Sequence, residues 1–183
     1  MCQLSFSDYL DSRLLNGGWP IWTGAVVCRR TVLIEAGLFP EDRCRRGGDV
    51  DLWLRIMSRT EALSTPHIGA TYYRDSVNMV TKTESLNSRH CTFDTIENMI
   101  KVADPDIATR LRKVYNLQMF NTALNTVGNE QLSQNVYRGF FVSDNPVKYF
   151  LIRLLAALPA VVPKTLRQPS KATRAAYRAI FKH

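Results

Sequence analysis

Cysteine is sparse in this chain: Cys2, Cys28, Cys44 and Cys91 are scattered and no two share a C-x-x-C spacing. That frequency in 183 residues argues against a disulfide framework and makes a reducing, cytoplasmic setting the expectation. The three histidines are no better grouped, so no zinc site is expected. Long hydrophobic runs are also missing. The longest, Tyr149–Pro163, contains Arg153, Pro159 and Pro163 and falls short of the roughly 20 apolar residues a spanning helix needs. It can lie on a membrane but not cross one. The opening residues, Met1 to Ser12, are mixed and polar, so no signal peptide is expected. There is no internal repeat and no low-complexity tract.

Acidic residues are absent from Pro146 onward, and this locates the charge. The formal net charge is +8, and the eight Lys and Arg of that tail account for all of it. The body before Pro146 is neutral, with 16 basic and 16 acidic residues. A globally basic, nucleic-acid-binding surface is therefore disfavoured, the more so because no aromatic platform or Gly-rich binding motif accompanies the charge. At 45% hydrophobic and 22% charged, the chain as a whole has the composition of a globular protein rather than a disordered one.

Residues 24–30, GAVVCRR, suggest a short buried strand, with Cys28 a core thiol, followed by a helical turn through Ile34 that Gly37 ends. Residues 40–48 form a loop carrying Arg43, Arg45, Arg46 and a Gly-Gly pair. A helix is expected from about Val50, with Val50, Trp53, Leu54 and Met57 on one face, and Asp51 and Arg55 spaced to pair on its surface. Residues 68–74, IGATYYR, suggest a second strand on β-branched and aromatic content. Beyond Thr81 the pattern turns helical: Leu86, Phe93, Ile96 and Ile100 form one stripe. Asp104 and Pro105 then open a further helix carrying Ile107, Leu111, Val114 and Tyr115 and ending near Gly128. A shorter helix is expected from Asn129 to Phe141.

Three segments in order, TGAVVCRRTVLIEAGLFPE (23–41), GGDVDLWLRI (47–56) and YYRDSVNMVT (72–81), carry a resemblance. Together they resemble the second half of the catalytic domain of family 2 glycosyltransferases. There a strand and "RR…GxFdE" turn precede an "ED-x-DLWLR" helix and a "YR-x-H-x-x-S-x-S" segment. The resemblance covers about 60 residues, and the rest of the chain adds little to it. It implies an α/β fold: residues 1–82 as the C-terminal portion of an A-type glycosyltransferase domain, then an all-helical region. The latter divides into a helical subdomain, 83–145, and a basic amphipathic tail, 146–183. The implied activity is transfer of a sugar from a nucleotide-sugar to an acceptor hydroxyl, on a saccharide or a lipid-linked acceptor. Asp49 stands at the family's general base. An alcohol is a poor nucleophile until its proton is being removed, and a carboxylate at a rigid loop-to-helix junction supplies both the acceptor and the angle. The alternative reading of Asp49, compatible with the first, is an N-cap.

Departures from the pattern matter. Gly48 replaces the glutamate of the ED pair, and Ser76 stands where many relatives carry a histidine. The family's Mg²⁺ or Mn²⁺ is held by D-x-D carboxylates in the nucleotide-binding half, and none lies upstream of the first strand here. Asp49-Val50-Asp51 is formally D-x-D, but its place in the ED helix argues against a metal role. The expectation is thus a module without metal ligands of its own, incomplete without that half. Trp19 and Trp22, around a Gly-Gly-Trp-Pro loop, are candidates for stacking on a sugar or covering the site. Arg45 and Arg46 could meet a diphosphate or anionic acceptor, although the plainer reading is a solvated basic loop. Trp53 reads as a core anchor, and His67 and His90 receive no catalytic role.

In the tail, Lys148 to Leu158 is apolar nearly all round, and residues 170–182 form a basic amphipathic helix with Lys171, Arg174, Arg178 and Lys182 on one face. Such a helix suits the headgroup layer of an anionic membrane, or packs on the protein with a solvated basic face. The competing functional class is accordingly a non-catalytic membrane-surface or protein-interaction module, placed in the cytoplasm or on the inner face of the membrane.

Overall fold

Short helices anchored by local caps build most of the structure. This computed structural model describes residues 1–41, 44, 47–71, 73, 90–126 and 139–157, with side chains through Ala123 and Leu154 in the last two stretches. The described residues are mostly helical with one small antiparallel sheet, and they divide into two compact units, Met1–Ile107 and Ala108–His183.

The first unit opens with strand β1 (Cys2–Leu4), which pairs antiparallel with β2 (Ala62–Ser64) so that Gln3 faces Leu63. Helix α1 (Phe6–Asn16) follows at once. Its first turn is closed by a capping box: Ser5 Oγ accepts from the Asp8 backbone, and the Asp8 carboxylate accepts from the Ser5 backbone N–H at 3.0 Å. Gly17, at φ 69°, ends it in the left-handed conformation that glycine adopts without steric cost. Tyr9 and Leu10 are its buried residues.

The expected strand over 24–30 does not form. Thr23–Ala25 is a single 3-10 turn, Val26–Arg29 is unpaired, and Val27 is 99% exposed. A β-branched run becomes a strand only where a neighbouring strand takes up its backbone groups, and none among the described residues does so here. The turn through Ile34 is present as α2 (Arg30–Glu35), and Gly37 at φ 84° ends it as expected, its N–H bonding Ile34 O. Leu38 follows at φ 58°, a conformation costing a non-glycine residue about 1–2 kcal/mol.

Helix α3 (Gly48–Met57) buries Trp53, Leu54 and Met57 of the expected face, but Val50 is only half-buried, and Leu52 and Ile56, outside that stripe, are buried as well. Asp51 and Arg55 do pair, at 2.9 Å, but not on the surface: the Asp51 side chain is 0% exposed. Thr95 donates its hydroxyl to the same carboxylate. The Arg55 guanidinium also donates to the carbonyls of Ala36 and, at 2.7 Å, Leu38, so one side chain ties α3 to the end of α2. The second expected strand is likewise absent over 68–71 and at Tyr73, where Ile68 is 92% exposed; residues 72 and 74 lie outside the described residues. The pairing falls instead at 62–64.

Helix α4 (Cys91–Val102) packs against α3 and buries Phe93 and Ile96 from the expected stripe, while Leu86 lies outside the described residues. A disulfide joins Cys91 to Cys44, which corrects the expectation of reduced, ungrouped cysteines. The two are 47 residues apart in sequence, a pairing that spacing alone does not announce.

Helix α5 (Pro105–Thr126) begins as expected, with Asp104 Oδ1 accepting from the Asp106 and Ile107 backbones, each at 3.0 Å. Within the second unit its apolar stripe runs through Ala108, Leu111, Val114, Tyr115, Met119, Phe120 and Ala123, all buried. Asn116, 1% exposed, clamps Phe141 from both sides of its peptide: Nδ2 donates to Phe141 O at 2.8 Å, and Oδ1 accepts from Phe141 N at 2.9 Å. Arg112 pairs with Asp144 at 2.9 Å. The expected helix over 129–141 is not helical at its end, since Gly139 has φ 109° and Phe140 and Phe141 are irregular; 129–138 lie outside the described residues. Helix α6 (Pro146–Ala157) carries the apolar start of the tail. The expected helix at 170–182 lies outside the described residues. Among those described, no helix is long and apolar enough to cross a membrane.

Candidate functional site

Asp49 sits in the first turn of α3, and the N-cap is Gly47 at φ 76°. The capping alternative for Asp49 therefore falls away, because its carboxylate lies inside the first turn rather than at the cap. Its Oδ1 accepts from the Val50 N–H at 2.9 Å, and its Oδ2 accepts from the Thr23 hydroxyl at 3.0 Å. Thr23 Oγ1 also receives the indole N–H of Trp53 at 3.0 Å. An indole nitrogen only donates, so Thr23 must accept there and direct its own proton at Asp49. The result is an oriented relay, Trp53 to Thr23 to Asp49. Trp53 is 5% exposed and fixes the relay in the core, whereas Asp49 is half-buried and reachable. A carboxylate offers about four acceptor positions, so these two donors leave capacity for an incoming hydroxyl.

Tyr9 shapes the electrostatics beside Asp49. Burial, then the negative charge of Asp49, pushes its phenol well above the ordinary tyrosine range, and Arg13 opposes the rise. The phenol stays neutral, and its buried hydroxyl has no hydrogen-bond partner among the described residues. Tyr9 stacks on Trp19 with ring centroids 5.1 Å apart, and the Arg13 guanidinium lies 5.2 Å from the Trp19 ring. Trp19 is thus engaged in internal packing. Trp22 is 40% exposed and folds its six-membered ring over Gly24, where an added Cβ would come within 2.7 Å of Cζ2. Of the two tryptophans, Trp22 is the one presented to solvent.

At Gly48, the departure from the family's glutamate, a Cβ would lie 3.2 Å from Pro40 Cγ, a contact that a side chain could make only with Pro40 giving by a few tenths of an ångström. Arg43, Arg45, Arg46, Arg74 and Ser76 lie outside the described residues. The structure therefore brings Asp49 together with Thr23, Trp53 and Tyr9. Sequence reasoning named Asp49 and Trp53 but missed the other two. Thr23 lay in plain view, opening the first family-like segment, and Tyr9 carried a signal in the Ser5-x-x-Asp8 capping pattern that places it on a helix. Comparison of the chain with protein-family models, curated proteins and solved structures finds no match in any of the three.

Proposed function

We propose that this chain is a glycosyltransferase-like module that contributes the base and the acceptor side of a sugar-transfer site. The nucleotide-sugar and its Mg²⁺ or Mn²⁺ are gripped by groups outside residues 1–183. The observation that carries the reading is the oriented relay onto Asp49. It holds a carboxylate at the start of a rigid helix with spare acceptor capacity, as a base that must meet a hydroxyl at a set angle requires. Trp22, exposed on a loop beside Thr23, supplies a face for a saccharide acceptor. The fold class implied is the C-terminal part of an A-type transferase domain, for which the described residues contribute helices and a small sheet.

The test is tryptophan fluorescence of the chain titrated with saccharides and their polyprenyl-phosphate-linked forms. Saturable quenching that disappears in Trp22→Ala supports the reading, and no response across the panel refutes the acceptor side. Calorimetry with UDP-, GDP- and dTDP-sugars, with and without Mn²⁺, tests the division of labour: metal-dependent donor binding by this chain alone would overturn it. In any complete assembly, Asp49→Asn lowers transfer by about 10²–10⁴-fold with donor affinity retained.

A second reading, an anionic-membrane-surface module, is favoured by one observation in the second unit. Val147, Phe150 and Leu154, spaced i, i+3, i+7 on α6, are all more than half exposed. Co-sedimentation with phosphatidylglycerol-containing vesicles, lost in Phe150→Glu, is its signature.

A further inference from the structure

Cys44, His90 and Cys91 converge in the first unit from a loop and a helix start. One donor atom from each lies within 4.8 Å of the others. The two sulfurs are joined as a disulfide, and the imidazole stands beside them as the N-cap of α4. Three features mark this as more than a staple. Sulfur and imidazole donors together are the set that borderline-soft divalent cations prefer. They are also close: tetrahedral Zn²⁺ with bonds of about 2.3 Å to sulfur and 2.0–2.1 Å to nitrogen needs ligand atoms roughly 3.5–3.8 Å apart, so the bonded sulfurs must separate on reduction, while all three donors already lie within 4.8 Å of one another. The histidine is also held. Its Nδ1 lies 2.7 Å from the fully buried Thr92 Oγ1 and, as the cap, 3.2 Å from the Thr92 N–H. As the cap, Nδ1 is the acceptor; binding a metal through Nε2 requires the other tautomer, in which Nδ1 carries the proton, gives up the cap bond and donates to Thr92 Oγ1, the outer hydrogen bond that metal-ligating histidines usually make. On the other side, Nε2 lies where a Cβ on Gly47 would come within 2.2 Å, so only glycine at 47 leaves room for the ring.

We infer that, with the disulfide reduced, Cys44, Cys91 and His90 form a three-donor site for Zn²⁺ or a cation of like softness, exchanging with the disulfide according to redox state. Reduction adds two electrons and yields two thiols. Zn²⁺ displaces their protons, binds both thiolates and His90, and keeps a fourth position for water or an exogenous ligand. In the reverse direction a small-molecule disulfide, such as oxidised glutathione, is the oxidant. Cys44 thiolate attacks one of its sulfurs and expels a thiolate, and Cys91 thiolate then attacks the Cys44 sulfur and expels the second. Two electrons leave the protein and Zn²⁺ is released. This site is separate from the proposed sugar-transfer chemistry and does not depend on it.

The experiment titrates Co²⁺ into the full chain, reduced with a phosphine and freed of metal. The expected result is one equivalent bound with the sulfur-to-cobalt charge-transfer absorption and tetrahedral ligand-field bands, bleached by one equivalent of Zn²⁺. Cys44→Ser and Cys91→Ser abolish the charge-transfer bands or halve their intensity. His90→Gln weakens binding by more than tenfold. Thr92→Val weakens it by about 10–100-fold, as loss of an outer partner does. Cys2→Ser and Cys28→Ser, which remove the two free cysteines, leave the spectrum unchanged. Oxidised glutathione releases the metal stoichiometrically with disulfide formation. Circular dichroism on each variant keeps loss of fold distinct from loss of a ligand. Absence of thiolate-to-cobalt bands in the reduced, folded protein overturns the inference, as does their loss in Cys2→Ser or Cys28→Ser with retention in Cys44→Ser.

Discussion

Replacing Arg55 by methionine keeps the aliphatic stem and removes the charge, and the contacts of that side chain set the cost. The Asp51 carboxylate is fully buried, and its remaining partner is the Thr95 hydroxyl. A buried charge stripped of its counter-ion costs about 3–5 kcal/mol. The carbonyl of Leu38, an exposed residue, can turn to water, so its lost donor adds little, whereas the carbonyl of the buried Ala36 also loses its Arg55 donor and places the cost toward the upper end of that range. The loss of stability should therefore be about 3–5 kcal/mol, a large share of the 5–15 kcal/mol typical of a domain. Urea unfolding under non-reducing conditions, followed by tryptophan fluorescence with the buried Trp53 as reporter, measures it. The decisive comparison is the triple variant Asp51→Leu, Arg55→Met, Thr95→Val. If the cost is that of an orphaned charge, removing the charge and its second partner together recovers most of the stability, because a well-packed apolar set often matches a buried ion pair. A loss below about 1 kcal/mol in Arg55→Met, or a triple variant no more stable than the single one, refutes the reasoning.

Tyr9→Phe deletes a buried hydroxyl that lacks a partner among the described residues and should stabilise the first unit by about 1 kcal/mol in urea unfolding. Because burial and Asp49 raise the Tyr9 pKa in the folded state, the unfolded chain loses its phenolic proton first as pH rises past 10.0. Stability falls with further rise, and the Tyr9→Phe variant should lack that part of the alkaline loss. Lys148 behaves oppositely: burial lowers its pKa, so below 10.5 the unfolded chain binds more protons and stability falls as pH falls. Lys148→Met should flatten that dependence and stabilise the second unit at neutral pH, read by thermal unfolding across a pH series. Reducing the Cys44–Cys91 bond in the presence of a chelator releases a 47-residue separation and should cost about 2–4 kcal/mol, seen as a lower urea midpoint.

What could be read from the sequence was what local chemistry decides. The face of α3 followed from period, the start of α5 from Asp104 before Pro105, and the end of α2 from Gly37. The strands failed because three-residue strands are set by their partners. Ala62–Ser64 has no stronger β signal than 68–71, and only its pairing with Cys2–Leu4 distinguishes it. Helix α1 was missed although Ser5 and Asp8 cap it, because a polar opening segment with few apolar positions shows little period. The depth of Asp51 was hidden for a similar reason: i, i+4 spacing says that two charges can meet, and only the packing of α4 says that they meet away from water. At the candidate site Asp49 was legible from its neighbours. The direction of the Thr23 proton required knowing that Trp53 reaches the same oxygen.

The β1–β2 ladder has a consequence for how the first unit is made. Its register joins residues 2–4 to residues 62–64. On a ribosome extending at about 5–20 residues per second, β1 waits roughly 3–12 s for its partner to be synthesised. Helix α1, closed by its own capping box, can form during that interval, since its stabilising bonds span only three or four residues. The first unit then closes from long-range contacts, which arrive late and slow the search. Until β2 emerges, the exposed edge of β1 is open to any other strand in reach, so aggregation during synthesis should respond to substitutions at Gln3 or Leu63 more than equilibrium stability does.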